Sequence, residues 1–162
     1  MKNIISSIKK ITGIVIVSCI LVAITSWKSE KKSEPFDSNS IIGTWELISF
    51  ESIENDKVTS KNLSNKKMIK IINSSHFAFF NHDLNSEIDS LSFYTSGGGK
   101  YELIGNKYIE YLEYCSSREW EGNKFEFQIE IEGNKLTQKG TEKLEKLGIN
   151  REITEVYLRI SK

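Results

Sequence analysis

Ile42-Gly43-Thr44-Trp45-Glu46-Leu47-Ile48 is the stretch on which the fold turns. Gly43 opens it, and Trp45, Leu47 and Ser49 alternate with Glu46, Ile48 and Phe50. A period of two describes a strand whose faces lie in different surroundings. Working outward from it, further short runs of this kind follow, and the only proline, Pro35, precedes them all.

Those runs predict strands at Met68–Ile72, His76–Phe80, Ile88–Tyr94, Lys100–Ile104, Lys107–Cys115, Leu136–Lys139 and Ile153–Ile160. The clearest strand places Phe125, Phe127, Ile129 and Ile131 on one face and Glu126, Gln128, Glu130 and Glu132 on the other. Gly105-Asn106-Lys107, Gly122-Asn123-Lys124 and Gly133-Asn134-Lys135 read as tight turns, since Gly-Asn supplies the positive φ that hairpins need. A two-residue link joins only antiparallel neighbours. Gly97-Gly98-Gly99 reads as a corner or bulge, and Thr141–Gly148 as one helical stretch with Leu144 and Leu147 on a single side. The fold class is therefore all-β: an antiparallel up-and-down meander of about 8–10 strands, closed into a barrel to remove its edges.

The chain has 162 residues, enough for one compact domain with a short extra segment. Acids and bases balance at 22 each, but residues 1–40 carry six Lys against three acids, leaving 16 basic and 19 acidic groups in 41–162. A mildly acidic domain with scattered lysines lacks the basic face that phosphate neutralisation requires, so nucleic acid is not an expected partner. Lys2, Lys9 and Lys10 precede an apolar run at Ile11–Thr25 and then a polar stretch, the order of a secretory signal or membrane anchor. The reading divides the chain into a signal or anchor at 1–27, a polar linker at 28–40 and the barrel at 41–162. Cys19, preceded by Ser18, is a candidate for lipidation; cleavage near Ser26 and retention as an anchor are the other two outcomes. Each places the protein at the cell envelope, or outside the cell if cleaved. The barrel holds a single cysteine, Cys115, and hence no internal disulfide.

Gly43-Thr44-Trp45 resembles the Gly-X-Trp of the first strand in lipocalins and fatty-acid-binding proteins, and Arg159 in Glu155-Val156-Tyr157-Leu158-Arg159 stands where those families place an Arg across the Trp. The likeness is stronger still to bacterial exported lipocalin-like proteins. Lys67-Met68-Ile69, His76-Phe77, Gly98-Gly99-Lys100-Tyr101, Gly105-Asn106-Lys107-Tyr108 and Glu110-X-X-Glu113-Tyr114 carry it, and Thr141–Arg151 departs from it. The resemblance implies noncovalent binding of a small apolar or amphipathic molecule inside the barrel, without a cofactor. It also makes Gly43, Trp45 and Arg159 a structural clasp.

His76, Tyr101, Tyr108, Glu110, Tyr114, Phe127 and Tyr157 are the expected ligand-facing residues. Aromatic rings supply apolar area, and a buried carboxylate among phenols orients a polar end. Two rival readings stand beside binding. A barrel filled by its own Tyr and Glu side chains would be an interaction module. An enzyme would pair His76 with Glu110 or Glu113 as acid and base, but this spacing does not establish that they converge. His76, His82 and Asp83 do not make a metal site, because a strand holds residues six apart roughly 20 Å from each other.

Overall fold

The structure is a computed structural model and describes residues 38–84 and 93–161. Residues 1–27 with Cys19, nearly all of the 28–40 linker, and most of the strand expected at Ile88–Tyr94 lie outside the described residues. A 3-10 turn at Ser38–Ile41 leads into ten strands: β1 (Gly43–Glu54), β2 (Lys57–Ser60), β3 (Lys66–Ile72), β4 (His76–Asp83), β5 (Tyr94–Ile104), β6 (Lys107–Leu112), β7 (Tyr114–Cys115), β8 (Asn123–Glu132), β9 (Lys135–Leu144) and β10 (Ile149–Ser161).

The order around the sheet is β10-β9-β8-β6-β5-β4-β3-β1-β2, and β10 also pairs with β1. That last ladder runs from Thr44–Ser161 to Ile53–Glu152 and closes the barrel. Two of the ten strands are short extensions: β2 hairpins onto the far end of β1, and β7 continues β6 along β5. Eight staves remain. An eight-stranded barrel is just wide enough for its interior to be filled by side chains or to hold one small ligand.

The Gly-Asn turns at 105–106 and 133–134 link β5 to β6 and β8 to β9, with Gly105 and Gly133 both at φ 59°. Gly122-Asn123 is not such a turn. Asn123 is paired with Leu112, so residues 113–122 make a wider excursion before β8 begins. A further hairpin, β1–β2, turns on Asn55 and Asp56, both in the left-handed region that Asn and Asp tolerate.

Three local expectations are corrected. Gly97-Gly98-Gly99 is no corner but mid-strand, opposite Phe79, Ala78 and Phe77. A Cβ on Gly99 would stand 1.9 Å from the Tyr111 carbonyl oxygen, so the glycine serves close backbone approach. Thr141–Leu144 is strand rather than helix, and only Glu145–Leu147 forms a 3-10 turn. Pairing with Ile149–Glu152 of β10 outweighs the local helical pattern. Finally, β1 carries a bulge between Leu47 and Ser49. Ile48 and Ser49 are both exposed, and Phe50 and Ser52 point inward in phase with Trp45 and Leu47, not opposite them.

The deepest packing is at the end where β1 begins. Trp45, Tyr108, Tyr157, Ile41, Ile72 and Leu136 are fully buried there. Burial of each large apolar side chain contributes about 1.5–3 kcal/mol, so this end is the main anchor of the fold.

Candidate functional site

Inward positions along the staves divide the barrel interior into three layers. At the closed end, Trp45 donates its indole N–H to the Ile41 carbonyl at 2.8 Å. The Arg159 guanidinium carbon stands 3.9 Å from the Trp45 ring centroid, and its N–H groups reach the Ile42 and Ser40 carbonyls. A guanidinium over an indole contributes roughly 0.5–2 kcal/mol. The contact also ties the first strand, the last strand and the preceding turn together.

The middle layer is polar. Lys70 sits across from Trp45 in the β1–β3 ladder and is only 2% exposed. Its Nζ donates to Glu110 Oε1 at 2.8 Å and to Gln138 Oε1 at 3.1 Å, and lies 3.9 Å from Glu155 Oε2. Glu155 Oε2 accepts from Gln138 Nε2 at 3.2 Å and from the Tyr157 hydroxyl at 2.8 Å. The Tyr108 hydroxyl is buried next to this group, against the Glu110 carboxyl.

Burial alone would lower the Lys70 pKa, but the adjacent Glu110 and Glu155 carboxylates outweigh it and hold the ammonium above its usual value. Burial raises the Glu110 carboxyl, and Lys70 offsets only part of that rise. Burial, reinforced by Glu155, keeps the Tyr157 phenol protonated well above its ordinary value. Tyr108 is raised in the same way by burial and by Glu110.

Above the polar layer the interior is open. A cavity of about 330 Å³ is lined by Phe50, Met68, Phe79, Phe93, Trp120 and Phe125, with Glu110, Gln138 and Glu155 as its floor. At the rim Arg151 pairs with Glu142, at 2.7 Å from Nε and 2.6 Å from Nη2. Lys61 and Lys66 lie over the faces of Phe50 and Phe93, 3.8 and 3.9 Å from the ring centroids. Cys115 and Ser117 complete one side.

Of the residues expected to face a ligand, Tyr108, Glu110, Phe127 and Tyr157 are inside the barrel and buried. Glu110 and Phe127 border the cavity, whereas Tyr108 and Tyr157 lie beneath its floor. Tyr101 is half-buried, tilted against Tyr108 with centroids 5.3 Å apart, and donates to the Asn73 carbonyl at 2.7 Å.

Two of the set are corrected. Tyr114 is 70% exposed, because the chain steps out of register at Glu113, between β6 and β7, and turns Cys115 inward in its place. His76 is exposed on the outer surface, with its Nδ1 2.8 Å from Ser75 Oγ. Phe77, its neighbour, takes the inward position. His76 and Glu110 therefore lie on opposite sides of the barrel wall, and the first acid–base pairing is not formed. Glu113 borders an outer groove with His76, but no hydrogen bond joins them. Lys70, Gln138 and Glu155 were missed. Glu155 was legible from its phase with Ile153 and Tyr157; Lys70 is masked by Ile69 and Ile71, which make both faces of β3 look apolar.

Eight staves in closed meander order, a 3-10 turn entering β1, and Arg159 across Trp45 describe one architecture. The fold is a lipocalin-like barrel. No protein-family model and no curated protein matches the sequence. Seven chains of known structure match. One is insecticyanin of the tobacco hornworm Manduca sexta, at 10% identity and a TM-score of 0.42, with 78% of this chain and 65% of that chain covered. The chain thus spans just under two thirds of insecticyanin, and the description of the lipocalin-like barrel rests on its own strand order and clasp.

Proposed function

We propose that the barrel binds a small, mostly apolar or amphipathic molecule noncovalently in its open half. The observation that carries this reading is the aromatic-lined cavity above a floor of buried polar groups. Ligand pockets of about 300–1,000 Å³ with apolar walls and a few convergent polar groups are the usual form of small-molecule sites. At about 330 Å³ this cavity sits at the lower bound, which favours a compact ligand over a long-chain lipid. Affinity comes from burial against Phe50, Phe79, Phe125 and Trp120, and orientation from the floor. Native mass spectrometry of the protein purified from its own host tests the reading. A bound organic molecule in stoichiometric amount is expected; a bare protein that also takes up no neutral apolar fluorophore contradicts it.

The proposal extends to location. Residues 1–27 would deliver or hold the barrel at a membrane, through lipidation at Cys19, an uncleaved anchor, or export after cleavage. Cys19→Ala shifts the protein from the membrane to the soluble fraction if Cys19 carries the acyl chains. Unchanged partitioning removes lipidation there.

A further inference from the structure

The charged part of the floor is unevenly matched. Glu110, Glu155 and Lys70 are 7%, 8% and 2% exposed, so two carboxylates face one ammonium in a nearly enclosed space. The hydrogen bonds these carboxylates make among the described residues fall on Glu110 Oε1 and Glu155 Oε2. Both side chains border the cavity, so their carboxyl groups can accept hydrogen bonds from whatever occupies it. Beneath them the buried Tyr108 hydroxyl stands against the Glu110 carboxyl. Elsewhere on the cavity wall Arg151 is already matched by Glu142, and Lys61 and Lys66 rest on aromatic faces at the rim.

A buried carboxylate without a counter-charge is costly, and the cost disappears when a cation with donor hydrogens meets it. An alcohol would satisfy the geometry but not the charge. A carboxylate would add a third negative group. The rim lysines act from a more exposed position, where salt screens them, and they influence entry more than residence on the floor. We infer that the floor formed by Glu110 and Glu155 recognises the protonated amine end of an otherwise apolar ligand. This inference rests on the binding reading above and adds the chemical class of the ligand to it.

The test uses the neutral fluorophore N-phenylnaphthylamine as reporter, displaced in turn by phenylbutylamine, phenylbutanol and phenylbutyrate at neutral pH. The amine is expected to displace the reporter at least about tenfold more tightly than the alcohol, because charge-assisted hydrogen bonds are roughly twice as strong as neutral ones, with the carboxylate weakest. Glu110→Gln, which leaves one carboxylate for Lys70, should bring amine and alcohol to within a factor of about two, the charge surplus being gone. An alcohol or carboxylate that equals the amine on the wild-type protein overturns the inference while leaving the binding reading intact. An unchanged amine preference in Glu110→Gln overturns it as well. Failure of the reporter itself to bind contradicts the binding reading and this inference with it. If the variant does not fold, the wild-type series decides.

Discussion

The closed and open ends of this barrel are built from the same staves, yet their interiors differ. At the closed end the inward positions are Trp45, Ile72, Tyr108, Leu136 and Tyr157, all fully buried and in contact. Toward the open end the inward positions are Phe50, Met68, Phe79, Phe125 and the Glu142–Arg151 ion pair, which together surround a cavity. Lys70, Glu110, Gln138 and Glu155 form the boundary. Burial is most complete below that boundary, and above it the side chains surround open space.

The contrast can be broken most severely at the closed end. Trp45→Ala empties the clasp and should cost about 3–5 kcal/mol, the range for deleting a buried aromatic, read as a lower denaturant midpoint with little change in slope. Lys70→Met attacks the boundary. It strands Glu110 and Glu155 without their counter-charge, and removal of one partner from a buried pair costs about 3 kcal/mol or somewhat more. Near-wild-type stability in that variant would mean that the boundary is already open to solvent. At the open end, Trp120→Ala should cost only about 1 kcal/mol, since a half-buried ring forfeits part of its transfer energy. It should nonetheless weaken reporter binding several-fold. A larger stability loss than for Lys70→Met would erase the distinction between the two ends.

The smallest effect is a pH dependence. Burial raises the Glu110 carboxyl above its ordinary value of 4.5, so the folded chain holds that proton more firmly than the unfolded chain. Stability contributed by this group is then lost as pH rises from the ordinary value through the raised one. Glu110→Gln cannot ionise and escapes that loss. Relative to wild type, its thermal midpoint should gain as pH climbs above about 4.5 and gain nothing below it. A relative loss over the same window would show that the pairing with Lys70 outweighs burial.

Much of the architecture was legible because its signals are local. The alternation from Phe125 to Ile131 specifies a half-buried strand by itself. Gly105-Asn106 and Gly133-Asn134 specify hairpins by themselves. Trp45 and Arg159 could be joined only through a resemblance, since 114 positions (159 minus 45) separate them in the chain. What escaped the sequence was phase. One bulge after Leu47 turns Phe50 inward, and another irregularity at Glu113 exchanges Tyr114 for Cys115. Neither leaves a mark beyond an ordinary Ser or Glu. The site suffered most from this, because a side chain's role depends on which face it occupies. Glu110 was expected to face a ligand, but Lys70, between Ile69 and Ile71, carries no such signal in the sequence. Its meaning appears only when β3 meets β6, β9 and β10 across the barrel.

On the proposed reading, the open half of the barrel is a chamber for a small molecule. Titration of N-phenylnaphthylamine into the wild-type protein, and into a Thr95→Trp variant that fills the chamber from β5, tests it most directly. Saturable one-to-one binding to the wild type, lost in Thr95→Trp while the fold persists, is the predicted result. Absence of saturable binding, or equal binding by both proteins, would contradict it.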